Sequence, residues 1–84
     1  MKKYHIPEYI AISDTGFLFL PSTGETFTLN QIGKDIFKML QAGESDENIY
    51  EKITSDYDVE RGVIERDFSD FILQLKSYSL IKAI

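Results

Sequence analysis

The chain has 84 residues, 43% of them hydrophobic, with six Phe, five Tyr and no Cys. This length leaves room for one core and not two, and the apolar content excludes a disordered tail. The absence of Cys excludes a disulfide framework, a thiolate nucleophile and a Cys-based zinc site, while a net charge of −5 opposes binding to nucleic acid, where phosphate neutralisation supplies most of the affinity.

The N-terminal run Met1-Lys2-Lys3-Tyr4-His5-Ile6-Pro7-Glu8 has two lysines but neither a long apolar stretch nor a small-residue cleavage site. No window approaches the roughly 18 consecutive apolar residues of a membrane span. Residues 1–84 are therefore expected to form a single soluble domain, with no membrane contact and residues 1–8 a mobile N-terminus, and the lack of Cys fits a reducing cytoplasm.

Three short strands follow. Tyr9-Ile10-Ala11-Ile12-Ser13 is β-branched and partly alternating, and Asp14-Thr15-Gly16 supplies a turn. Phe17-Leu18-Phe19-Leu20 makes the second strand, ended by Pro21-Ser22-Thr23-Gly24. Glu25-Thr26-Phe27-Thr28-Leu29 alternates and makes the third, with Phe27 and Leu29 on one face. Two tight turns imply an antiparallel meander.

The period then changes from two to about 3.6. Asn30 is a fitting N-cap for a helix from about Gln31 to Ala42, where Ile32, Ile36 and Leu40 recur every fourth residue and Gly43 supplies the stop. Ser45 caps a second helix, with Asp46 and Glu47 favourably placed in its first turn and Ile49, Ile53 and Tyr57 on its inner stripe. The third and longest runs from about Glu60 to Tyr78, with Ile64, Phe68, Phe71, Ile72 and Leu75 apolar, after which Leu80-Ile81 packs back. The order βββααα indicates an α+β fold with helices over one face of a small three-stranded antiparallel sheet.

Little here supports chemistry. His5 is the sole histidine, with no acid placed in sequence to orient it. The acids near Glu44 to Glu47 are explained by a helix dipole and solubility better than by a metal. Between Glu44 and Glu60 seven acids face Lys52 alone, a local balance of −6 that would repel phosphate. No EF-hand, P-loop or dinucleotide fingerprint occurs, and Gly33 is isolated. No catalytic residue, no metal site and no cofactor are expected.

One set of spacings is more specific. Thr28-Leu29-Asn30 precedes Gly33 and Ile36-Phe37-Lys38-Met39-Leu40. The connector Ser55-Asp56-Tyr57-Asp58-Val59 comes next, then Glu65-Arg66-Asp67-Phe68-Ser69-Asp70-Phe71-Ile72-Leu73-Gln74-Leu75 with Leu80-Ile81. This resembles the PqqD family, named for the D protein of pyrroloquinoline quinone biosynthesis, in which most members have Trp in place of Phe37 and Gly in place of Ser79. The resemblance implies a compact winged-helix-like domain that recognises the leader of a ribosomally made precursor peptide. That leader adds as a strand to the third strand and packs on the third helix. It further implies a non-catalytic subunit that presents its peptide to a separate leader peptidase and a cyclase in a lasso-peptide pathway. A helper of a radical-SAM enzyme in quinone-cofactor or thioether-peptide biosynthesis is the alternative.

The residues suit that role. An edge strand offers unpaired N–H and C=O groups to an incoming peptide, and Thr26 and Thr28 favour extended geometry without blocking the edge as Lys or Pro would. One of Thr26 and Thr28 is expected to donate outward. At about 100° per residue, Val63, Asp67, Asp70 and Gln74 lie along a shoulder of the third helix, with Phe71 between shoulder and core. The expected peptide-binding set is Glu25, Thr26, Phe27, Thr28, Leu29, Val63, Arg66, Asp67, Asp70, Phe71 and Gln74. The partners are then a leader peptide and a modifying enzyme, with no nucleic acid, on a monomer or weak dimer. A winged-helix DNA-binding domain is the reading from another class. Its recognition helix would carry Glu60, Glu65, Asp67 and Asp70 against Arg61, Arg66 and Lys76. A structural subunit that dimerises through its sheet edges is a third.

Overall fold

The computed structural model describes residues 4–7, 10–20 and 23–83. Its strands are β1 (Tyr4–His5), β2 (Ala11–Ile12), β3 (Phe17–Leu20), β4 (Glu25–Thr28) and β5 (Lys82–Ala83), and its helices α1 (Gln31–Gln41), α2 (Asp46–Tyr57) and α3 (Arg61–Ser77). β2, β3 and β4 form an antiparallel meander in that order, the βββααα arrangement of an α+β domain. The strand pairings Leu18↔Phe27 and Phe19↔Thr26 set its register. Of the first strand expected from sequence only Ala11–Ile12 pairs, with Phe19 and Leu18, and Tyr9 lies outside the described residues. So do Pro21 and Ser22 of the second turn.

Alternation determines which side of the meander is covered. Leu18 and Leu20 are buried at 1% and 6% exposure, whereas Phe17 and Phe19 point to the other face and stay 46% and 44% exposed. Gly16 makes the first turn at φ +87, and Leu29 donates its N–H to the Gly16 carbonyl at 2.7 Å, which carries the ladder one pair past β4. A Cβ on Gly16 would lie 2.4 Å from the Leu29 oxygen, so the closeness of these two backbones requires glycine.

Side-chain caps start two of the helices as the residues suggest. Asn30 Oδ1 accepts from Gly33 N at 2.8 Å, and Ser45 Oγ accepts from Asn48 N at 3.2 Å. Gly43, at φ +81, follows the Ala42 C-cap. α3 ends differently. Ser79 takes φ +60, and Leu80 N–H reaches back to the Leu75 carbonyl at 2.8 Å, a Schellman-type stop built on serine. This reversal buries Leu80 and Ile81 in the same core as Phe37, Phe68, Ile49 and Ile53.

A second pairing was not foreseen. β1 and β5 form a two-stranded antiparallel sheet, Tyr4 opposite Ala83 and His5 opposite Lys82. The N-terminal segment expected to be mobile thus contains a paired strand, and the adjoining Ile6 is 6% exposed in the core. The Tyr4 ring meets Phe68 edge-on at 6.3 Å.

Candidate functional site: an open strand edge beside a helix

In an antiparallel ladder, residues two apart direct their N–H and C=O groups to the same side. Leu29 donates toward β3 and lies in register with Gly16, so Phe27 also pairs inward, with Leu18. Thr26 and Thr28 then both direct their backbone groups away from the sheet. The expectation that only one of them does so is corrected by this parity: two positions of equal parity cannot differ. Among the described residues no strand pairs with the far side of β4. The edge therefore presents two donors and two acceptors, without lysine, proline or bulge to blunt it.

Beside this edge stands α3. β4 and α3 run in opposite directions, because Phe27 meets Tyr78 at 4.5 Å between ring centroids while Leu29 lies toward Phe71. Gly33 lies against both Leu29 and Phe71. The position a Cβ would take there is in ordinary contact with Leu29 Cβ at 3.5 Å and Phe71 Cε1 at 3.8 Å, and is tight only against the N-cap oxygen Asn30 Oδ1 at 3.1 Å. Between β4 and α3 runs a groove of about 460 Å³, with Leu18, Leu75 and Leu80 reaching it from the core and Phe27, Phe71 and Tyr78 supplying rings. Among the described residues no charged side chain lines it.

Of the expected site residues, the structure brings Phe27, Thr28, Leu29, Phe71 and Gln74 together around this groove. Glu25 and Thr26 belong to the same strand, with Glu25 N–H taken up by Thr23 Oγ1 at 3.2 Å. Val63, Arg66, Asp67 and Asp70 do not line the groove. Val63 is half-buried and the other three exposed, with Arg66 Nε 4.0 Å from Asp67. Asp67 does fall on the stripe Asp67, Phe71, Gln74 and Tyr78, which recurs at helical spacing. Six described lining residues lie outside the expected set: Leu18, Leu75 and Leu80 from the core, the exposed Leu73 and Ser77, and Tyr78. For Tyr78, its place seven residues beyond Phe71 on that stripe was the available signal.

Electrostatics argue for binding rather than reaction. Burial raises the Tyr4 and Tyr50 phenols above their ordinary value, with Asp46 adding to the effect. Tyr57 is raised chiefly by the hydrogen bond it donates to Asp35. All three stay protonated at neutral pH. Among the described residues no group of three His, Asp or Glu side chains is placed to hold a metal, and no helix is long and apolar enough to cross a membrane.

An open strand edge flanked by an apolar groove defines a small peptide-groove domain, able to take an extended chain by backbone pairing and to select among chains by side chain. The chain belongs to the PqqD family: the model for coenzyme PQQ synthesis protein D matches residues 15–81. Two solved structures are similar throughout. TbiB1 in complex with the TbiA(beta) leader peptide is 31% identical with a TM-score of 0.81, over 93% of this chain and 94% of that one. Lasso peptide synthetase B1 complexed with the leader peptide is 28% identical with a TM-score of 0.83, over 95% and 98%. No curated protein matches.

Proposed function

We propose that this chain binds the leader of a ribosomally synthesised precursor peptide by strand addition to β4, with packing on α3, and delivers it to a separate leader peptidase and cyclase in lasso-peptide biosynthesis. The observation that carries this reading is the open edge at Thr26 and Thr28 beside an uncharged groove. The two similar structures, both complexes with leader peptides, support it. The chain acts in the bacterial cytoplasm and catalyses nothing itself. The incoming strand pairs along residues 25–29, fills the groove over Phe71 and Gln74, and continues along the α3 shoulder past Asp67, Asp70, Arg66 and Val63. α3 also restricts what can enter, since a lone extended segment fits beside it and a second folded sheet does not.

Calorimetry with separated leader and core peptides tests the reading. The leader is expected to bind at about −8 to −10 kcal/mol, micromolar to submicromolar, because ordering a flexible peptide offsets part of the contact energy. The core peptide is expected not to bind. Equal affinity for both would sink the reading, as would turnover of the precursor by this chain alone.

A further inference from the structure

We infer that Tyr78 and Phe27 form an aromatic clip that determines which leader side chain the groove accepts, making Tyr78 a specificity-determining residue. The inference rests on the leader-binding reading above and deepens it.

An antiparallel strand that bonds to Thr26 and Thr28 leaves Phe27 opposite a residue in a non-hydrogen-bonded pair. There the Cα atoms are about 4.5 Å apart and the side chains closest. Cross-strand neighbours share a face, so that one leader side chain enters the groove beside the Phe27 ring. Tyr78 already stands there, its ring tilted 50° to Phe27 at 4.5 Å. The two rings meet at an angle, with Leu18, Leu29, Phe71, Leu75 and Leu80 among the walls beyond them.

Tyr78 is held in this place. Its N–H bonds to the Gln74 carbonyl at 3.2 Å as the C-cap of α3, and the left-handed Ser79, whose N–H bonds to the Lys76 carbonyl at 3.0 Å, turns the chain so that Leu80 drops into the core. Yet Tyr78 is 47% exposed and contributes nothing to the buried core. A ring that is fixed by the backbone, half in water and set against a second ring is available to a ligand at little cost to the fold. With no charge among the described lining residues, a charged leader side chain at this position would lose its water for neutral partners at most, Thr28, Gln74 and Ser77. An apolar side chain gains both rings.

A coupling experiment tests the clip. The probe is the fluorescently labelled TbiA(beta) leader peptide, prepared as a set with each residue in turn replaced by alanine. With the native chain, alanine at one apolar position is expected to weaken binding about tenfold. With Tyr78→Ala the same replacement is expected to cost no more than about twofold, so that peptide residue and Tyr78 couple by about fivefold, the range of an aromatic contact. Tyr78→Phe should restore the native profile. Tyr78→Leu, which keeps apolar volume without the ring, repeats the cycle if the alanine variant proves unstable. A Tyr78 variant that weakens every peptide of the set by one common factor, or none of them, overturns the clip and leaves leader binding standing. Failure of the native chain to bind any peptide of the set overturns the reading on which the clip rests.

Discussion

Placing proline at position 28 separates the two sides of β4. The Thr28 N–H points away from the sheet, so Thr28→Pro removes no bond of the ladder, and proline is tolerated where the lost donor faces outward on an edge. Stability is expected to fall by no more than about 1 kcal/mol. Binding is expected to fall further. The edge offers four backbone groups, each worth about 0.5–1.5 kcal/mol net to an added strand, or about 2–6 kcal/mol in all. Thr28→Pro deletes one of them and sets its ring where the incoming carbonyl would approach. The loss is about 1–2 kcal/mol, a factor of about five to thirty in affinity. Thr28→Val keeps the N–H and the shape, and should bind as the native chain does. By contrast, Leu29→Pro removes a donor that is bonded to Gly16 inside the ladder and should disrupt the hairpin. Titration of a labelled leader peptide alongside urea denaturation reads both quantities. The reasoning would be refuted if Thr28→Pro bound the leader at native strength, or if Thr28→Val lost as much as the proline variant.

Three further outcomes are expected. Phe68→Ala, at a ring 2% exposed that meets Tyr4 and Tyr50, should cost about 3–5 kcal/mol by urea denaturation, and a loss under about 1 kcal/mol would show that the site collapses around the gap. Ser79→Gly should raise stability by about 0.5–1 kcal/mol, because glycine adopts the φ of +60 without the Cβ clash, and an unchanged melting temperature would count against strain at this stop. The Tyr57 phenol is raised in the folded chain, chiefly by its bond to Asp35, so the stability it contributes is full below the ordinary tyrosine value near 10 and is lost as pH rises through the folded value. Tyr57→Phe should remove that part of the alkaline dependence in denaturation curves taken across this range.

What could be read from the sequence, and what could not, follows the distance over which each feature is determined. Asn30 and Ser45 cap helices through atoms three residues away, so cap, helix and stop were legible together. The alternation of Glu25 to Leu29 placed Phe27 and Leu29 on one face, which the groove uses. The pairing of β1 with β5 was not legible, because two-residue strands have no period to detect and their partners lie at opposite ends of the chain. The turn after Tyr78 was hidden for another reason. The place of Tyr78 on the stripe of Phe71 and Gln74 was legible, but the stop that follows it was not, because Ser79 is left-handed and serine does not announce such a turn as glycine does. Asp67 and Asp70 were grouped with Gln74 by helical angle alone, which gives direction around an axis but not how far along it a groove extends.

The helix at the side of β4 also bears on how the protein behaves when crowded. A bare strand edge is ordinarily a template for aggregation, and proteins commonly blunt it with charge or proline. Here the strand has no proline and its one charge is Glu25 at its start, so its protection is expected to be steric: Gln74 and Tyr78 stand next to it, and another copy approaching edge-on would drive its own covering helices into α3. The resulting filter sorts chains by their state of folding. Disordered segments are expected to pass and finished domains not, so that a concentrated stock of this protein should stay dispersed in light scattering while its edge remains free for an unfolded guest.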